Sequence, residues 1–146
     1  MPDLSWFDGY HAFADHLDYL DDLADAFPNS ETFVSGESLE GRPQKGIHFW
    51  GKNGKGKNEA ILWHGTTHAR EWISAMTVEY LAYQLIERYG KDNLTTSFLD
   101  NNDFYLIPFV NPDGKKSSFA LGSWQHANTT CPNRLRLHSD SRSPMA

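Results

Sequence analysis

The sequence predicts an α/β domain: a mixed β-sheet with flanking helices. Three observations predict it. Four short runs of strand-forming residues, 32–35, 47–50, 60–64 and 103–110, are set among two long stretches of helical period. A turn-rich segment, 36–46, joins the first two runs as a hairpin would. A long helical segment, 72–89, separates the third and fourth, a crossover long enough for parallel pairing.

Each element has its own signals. Phe13, Leu17, Leu20, Ala24 and Phe27 recur at helical spacing, and Pro28-Asn29 ends the pattern. Asp15, Asp18, Asp21, Asp22 and Asp25 fill the other positions and read as a solvated face, which a helix with one buried stripe needs. In the second helix Val78, Leu81, Ala82, Leu85 and Tyr89 form the apolar stripe, and Gly90 is the stop. Pro108 lies inside the fourth run. Proline cannot donate to a ladder, so it predicts a bulge or an unpaired side there. No internal repeat is present. After Gly114 the composition turns rich in Ser, Asn, Arg, His and Pro without a sustained period, so residues 1–114 read as the folded part and 115–146 as a divergent, poorly ordered tail.

The 146 residues suit one domain with a real core, and the abundant aromatics argue for a packed interior. A net charge of -6 argues against a nucleic-acid partner. No apolar run is long enough to span a bilayer, so no membrane partner is expected. Cys131 is the one cysteine, which excludes an intrachain disulfide. The start, Met1-Pro2-Asp3-Leu4-Ser5-Trp6, shows no signal peptide. Two N-glycosylation triplets occur, at Asn93-Leu94-Thr95 and Asn128-Thr129-Thr130, and they matter only in a secreted protein.

One motif is a decoy. Gly51-Lys52-Asn53-Gly54-Lys55-Gly56-Lys57-Asn58 nearly fits a phosphate-binding loop. Asn58 stands where the magnesium-holding hydroxyl belongs, and an apolar strand follows in place of a helix. A flexible, lysine-bearing hairpin loop is the better reading.

The most informative stretch is His64-Gly65-Thr66-Thr67-His68-Ala69-Arg70-Glu71-Trp72, where the third strand meets the long helix. A histidine and a glutamate three residues apart on a strand-supported segment can close on one ion. Two ligands from one segment then need a distant third.

The run from Gly65 to Ser74 closely resembles the first zinc-binding motif of the carboxypeptidase A type of metallocarboxypeptidases. Three further segments match in order. Trp6 to Phe27 is similar to the family's opening helix, Ser38-Leu39-Glu40-Gly41-Arg42 to the turn before its second strand, and Phe109-Val110-Asn111-Pro112-Asp113-Gly114 to a strand end and turn. The resemblance spans roughly residues 4–114 and implies a phosphorylase/hydrolase-like fold, here incomplete. It implies His68 and Glu71 as ligands of one zinc ion, Arg70 lining the substrate groove, and Trp72 and Ile73 packing the helix start against the sheet. His64 is expected at the strand end, as packing or in the second shell, and Asn111 to Gly114 as a structural turn. The implied substrate is the C-terminus of a peptide or protein, and the implied location is extracellular or vacuolar.

The resemblance also has gaps. Trp124 is followed by Gln125 and His126 where the family pattern has an arginine, and Asn133-Arg134 echoes the carboxylate-binding Asn-Arg pair without its neighbours. The third zinc ligand, the specificity pocket and the general base have no counterpart, and nothing fixes His126 or His138 as substitutes. The expectation is a truncated form, with Phe104, Leu106 and Phe109 of the fourth strand left partly uncovered. The alternative is a catalytically inactive fragment that binds a partner through its sheet edge.

Overall fold

A computed structural model describes residues 3–115. A 3-10 turn, Leu4–Asp8, precedes helix α1, Phe13–Ala26, whose first turn closes when Asp15 accepts the Ala12 N–H at 3.1 Å. Strands β1, Ser30–Glu37, and β2, Pro43–Phe49, follow. Then come β3, Glu59–His64, helix α2, Trp72–Arg88, a short helix α3, Asn93–Asn101, and β4, Asn102–Ile107. The sheet has the order β1-β2-β4-β3. β1 and β2 form an antiparallel hairpin, β2 and β4 pair antiparallel, and β3 and β4 pair parallel. This is the mixed sheet the sequence predicts, and α2 with α3 forms the crossover that parallel pairing requires.

Two expectations about the fourth strand are corrected. β4 is interior, flanked by β2 and β3, so the edges among the described residues are β1 and β3. Phe104 and Leu106 are 0 % exposed and Phe109 is 2 % exposed, because the helices already cover them. Pro108 falls just beyond the strand and not within it. Gly65 N–H donates to Ile107 O at 2.9 Å and Val110 N–H to Gly65 O at 3.1 Å, so the pairing steps past the proline. The register break of the sheet lies in β1, between Val34 and Glu37.

The core forms where alternate residues of the central strands meet the helices. Ile47 and Phe49 of β2 and Phe104 and Leu106 of β4 pack with Tyr19, Leu20 and Leu23 of α1, Val78, Ala82, Tyr83 and Ile86 of α2, and Leu99 of α3. The α1 stripe is rotated from the one read in the sequence: His16, Tyr19, Leu20 and Leu23 are buried, while Leu17 is half-buried. On the other side of the sheet His48 stacks on Tyr105 at 4.0 Å, with Phe33 edge-on to Tyr105 at 5.8 Å.

The lysine-bearing loop is not a hairpin turn: it joins β2 to β3, which β4 separates, and two buried aspartates pin it. Asp100 accepts the Lys52 N–H at 2.9 Å and the Tyr89 hydroxyl at 2.8 Å, and the Lys52 N–H foremost draws its pKa down to about 2. Asp103 accepts the N–H groups of Gly56 at 2.8 Å and Asn58 at 2.9 Å, and bonds His48 Nε2 at 2.9 Å. The backbone donors that a phosphate would need are thus taken by the chain's own carboxylates. Cys131, the Asn128 triplet, His126, His138, Asn133-Arg134 and all of the tail except Lys115 lie outside the described residues.

Candidate metal centre

The site is built at the C-terminal end of β3. Gly65 follows the strand, and the first turn of α2 and the end of β4 press against it. A Cβ there would meet Ser74 O at 2.8 Å and Pro108 O at 3.0 Å, both backbone atoms, so only glycine fits without displacement. Thr66 is fully buried with φ of 48°, a left-handed conformation unusual for a β-branched residue. Ser74 holds it there: its Oγ accepts the Thr66 N–H at 2.7 Å and donates to Glu71 O at 2.6 Å. Asn111 N–H donates to Thr66 O at 3.1 Å. One serine in the first turn of α2 therefore ties down both ends of the loop carrying the two candidate ligands.

A second layer braces that loop from behind. Asn111 Oδ1 accepts the Gly114 N–H at 2.9 Å and Lys115 N–H donates to Asn111 O at 3.2 Å, so Asn111-Pro112-Asp113-Gly114 opens a helical turn capped by Asn111, with proline at the first position. The simple turn read from the sequence is in fact a helix start. A Cβ on Gly114 would lie 2.6 Å from the Ala69 methyl, so this turn packs directly on the loop carrying the candidate ligands. Asn111 Nδ2 also reaches Thr67 O at 3.3 Å. Asp113 accepts the Ser38 hydroxyl at 2.6 Å, the Glu40 N–H at 3.1 Å and the Arg42 guanidinium. Burial acts to raise its pKa, but these three donors outweigh it and hold the carboxyl below its usual range. Three motifs separate in sequence, 38–42, 65–74 and 109–114, are thereby joined in one clasp.

On this support His68 and Glu71 face each other. His68 Nδ1 lies 2.9 Å from Glu71 Oε1, and the His68 N–H points at Oε2 from 3.4 Å. Both side chains are exposed, and the His68 ring foremost holds the Glu71 carboxyl below its usual pKa, with a smaller contribution from the Arg70 charge. Arg70 is exposed on the same loop. Two ligands of a tetrahedral zinc with bonds of about 2.0–2.1 Å sit about 3.3 Å apart, so this pair needs to open only slightly to fit one ion, which takes the place of the shared proton. Among the described residues no group of three or more His, Cys, Asp or Glu stands close enough to complete a site. His64 ends β3 as expected but is exposed on a groove with Ile73 and Ser74, and is not packed. Ile73 is 63 % exposed, which corrects its expected packing against the sheet: it lines a groove between β3 and α2. Trp72 is half-buried, its indole N–H donating to Ala69 O at 3.0 Å and its ring 5.5 Å from that of Tyr10.

Comparison with known proteins decides the family. The model of the zinc carboxypeptidase family matches residues 16–145. The chain belongs to the zinc carboxypeptidase family. The family match runs past Gly114, mostly through residues that lie outside the described part. Metallocarboxypeptidase A of Trichophyton tonsurans is 47 % identical over 142 residues, covering 91 % of this chain and 33 % of that protein. An inactive metallocarboxypeptidase of Saccharomyces cerevisiae is 39 % identical over 123 residues, covering 82 % of the chain and 27 % of its own length. Among solved structures, thrombin activatable fibrinolysis inhibitor superposes with a TM-score of 0.73 at 26 % identity, covering 82 % of this chain and 30 % of that one. The chain thus spans about a third of the length of the curated relatives it matches. The α/β fold with its unclosed mixed sheet is the carboxypeptidase fold over this stretch.

Ser74, Asn111 and Asp113 are the contributors to the site that sequence reasoning passed over. A hydroxyl three residues into a helix after a ligand-bearing loop is a readable signal for Ser74. Asp113 and Ser38 are 75 residues apart, and no local pattern joins them.

Proposed function

We propose that this chain supplies the two-ligand half of a zinc carboxypeptidase active site, acting on the C-terminus of a peptide or protein. The observation that carries the reading is the His68–Glu71 pair, 2.9 Å apart on a loop clasped by Ser74 and the Asn111–Asp113 turn. His68 Nδ1 and a Glu71 carboxylate oxygen would hold one zinc ion, with a third ligand from outside the described residues. When bound, zinc polarises a carbonyl and makes water a nucleophile at neutral pH. The chain's own residues fix the geometry: the strained Thr66 backbone and the Ser74 hydroxyl hold the loop so that neither ligand has to search for its position. The exposed Arg70 guanidinium, planar and two-pronged, suits the free carboxylate of a peptide end in the groove. An extracellular or vacuolar setting fits this reading. Among the described residues no helix is long and apolar enough to cross a membrane.

A chimera tests it: this chain joined to the downstream two-thirds of the Trichophyton tonsurans relative. The expected result is chelator-sensitive release of C-terminal residues from peptides. His68→Ala and Glu71→Ala should each reduce the rate by more than about 100-fold, since second-shell partners alone are worth about 10–100-fold. A folded chimera whose activity ignores either substitution would reject the assignment. The inactive yeast relative supports a second reading, a family member that binds without turnover. A folded, zinc-loaded chimera that releases nothing would favour it.

A further inference from the structure

The triplet Asn93-Leu94-Thr95 takes no part in the site described above. It opens α3 just after the Asp92 cap, at the far end of α2 from the loop carrying the candidate ligands. α2 is 17 residues long, and such a helix extends about 25 Å. A bulky group there stands clear of the His68–Glu71 loop. Asn93 is exposed, and among the described residues no hydrogen bond holds its side-chain amide. Leu94 beside it is 78 % exposed and Phe98, one turn on, is 42 % exposed, so α3 presents an apolar strip to solvent. The triplet sits where a sugar chain has room, would cover that strip, and would leave the core and the sheet edges untouched.

We propose that Asn93 is an N-glycan acceptor when the chain passes through a compartment bearing an oligosaccharyltransferase. The co-substrate is an oligosaccharide on a lipid pyrophosphate. The Asn93 Nδ2 attacks the anomeric carbon, the Nδ2–carbon bond forms, and the bond from that carbon to the pyrophosphate oxygen breaks. The lipid pyrophosphate leaves with the bonding electrons, and Nδ2 gives one proton to a base of the transferase. The fold adds a condition on timing. Thr95 is already engaged: its hydroxyl donates to Asp92 Oδ2 at 2.6 Å and its N–H to the same oxygen at 2.8 Å. The hydroxyl that the transferase must read is occupied once α3 closes, so transfer precedes folding of this helix.

The test is peptide mapping of the chain secreted from yeast behind a cleavable signal, in an Asn128→Gln background so that the second triplet contributes nothing. The peptide carrying Asn93 should bear a glycan that peptide amidase removes, leaving Asp at that position. Asn93→Gln and Thr95→Ala should each abolish it, and Thr95→Ser should keep it. Secreted chain with Asn93 unmodified would overturn the proposal. Folded chain made without the secretory route should stay unmodified when mixed with microsomes, and its modification would overturn the stated order of events.

Discussion

Glu79→Ala should unfold the chain at much lower urea, with a loss of about 2–6 kcal/mol, because two inward-facing partners each lose their acceptor at about 1–3 kcal/mol apiece. Glu79 is 0 % exposed in the middle of α2. Its Oε1 lies 2.7 Å from His16 Nδ1 of α1, and its Oε2 accepts the Trp6 indole N–H at 3.0 Å. Trp6 in turn stacks on His11 at 3.6 Å and on Tyr19 at 4.4 Å. The negative charge is felt further out. It acts with burial to push the Tyr19 phenol up, and it partly offsets the burial that brings Lys115 down to about 8. Alanine would strand His16 and Trp6 inside the protein and release the N-terminal turn from α2. Glu79→Gln, which keeps an acceptor, should cost less, about 1–3 kcal/mol. Because whole domains are stable by only about 5–15 kcal/mol, the first loss is a large share of the total. Urea curves for the two variants within about 1 kcal/mol of the parent would show that the buried cluster is incidental.

The second large effect is expected at Gly65. Even alanine places a Cβ 2.8 Å from Ser74 O and 3.0 Å from Pro108 O, and neither backbone atom can swing aside as a flexible side chain would. Gly65→Ala should therefore cost about 1–3 kcal/mol as an overpacked contact. It should also act on the site, because Ser74 is the residue that holds Thr66 and Glu71. The amide and ring resonances of Thr66, His68 and Glu71 should shift together, while those of α1 and β1 stay in place. Unchanged stability with unchanged resonances would mean that the close approach does not set the loop.

Much of this fold was legible because its elements carry strong local patterns. The apolar β3 run and the long α2 period each pointed to one element, and the helix between β3 and β4 implied parallel pairing. What was not legible depends on partners far along the chain. Residues 43–46 look like turn yet extend β2, because the ladder with β1 holds them. Helix α3 has a mixed face and was missed, although Asp92 followed three residues later by Thr95 is a cap signal. Glu79 and His16 fall at polar letters in helical periods, so a pattern reading assigns them to solvent. They are buried as a pair, His16 Nδ1 hydrogen-bonded to Glu79 Oε1 across 63 residues. The site divides in the same way. The His68-x-x-Glu71 spacing was readable at once, but the clasp through Asp113 appears only when three separated turns meet in space.

The most direct test is zinc-edge X-ray absorption on the zinc-loaded chain, alone and in the chimera, compared with the double substitution His68→Ala, Glu71→Ala. The account predicts an imidazole nitrogen and a carboxylate oxygen at about 2.0–2.2 Å from the metal, and their loss in the double variant. An unchanged zinc spectrum after both residues are removed would place the ion elsewhere and contradict it.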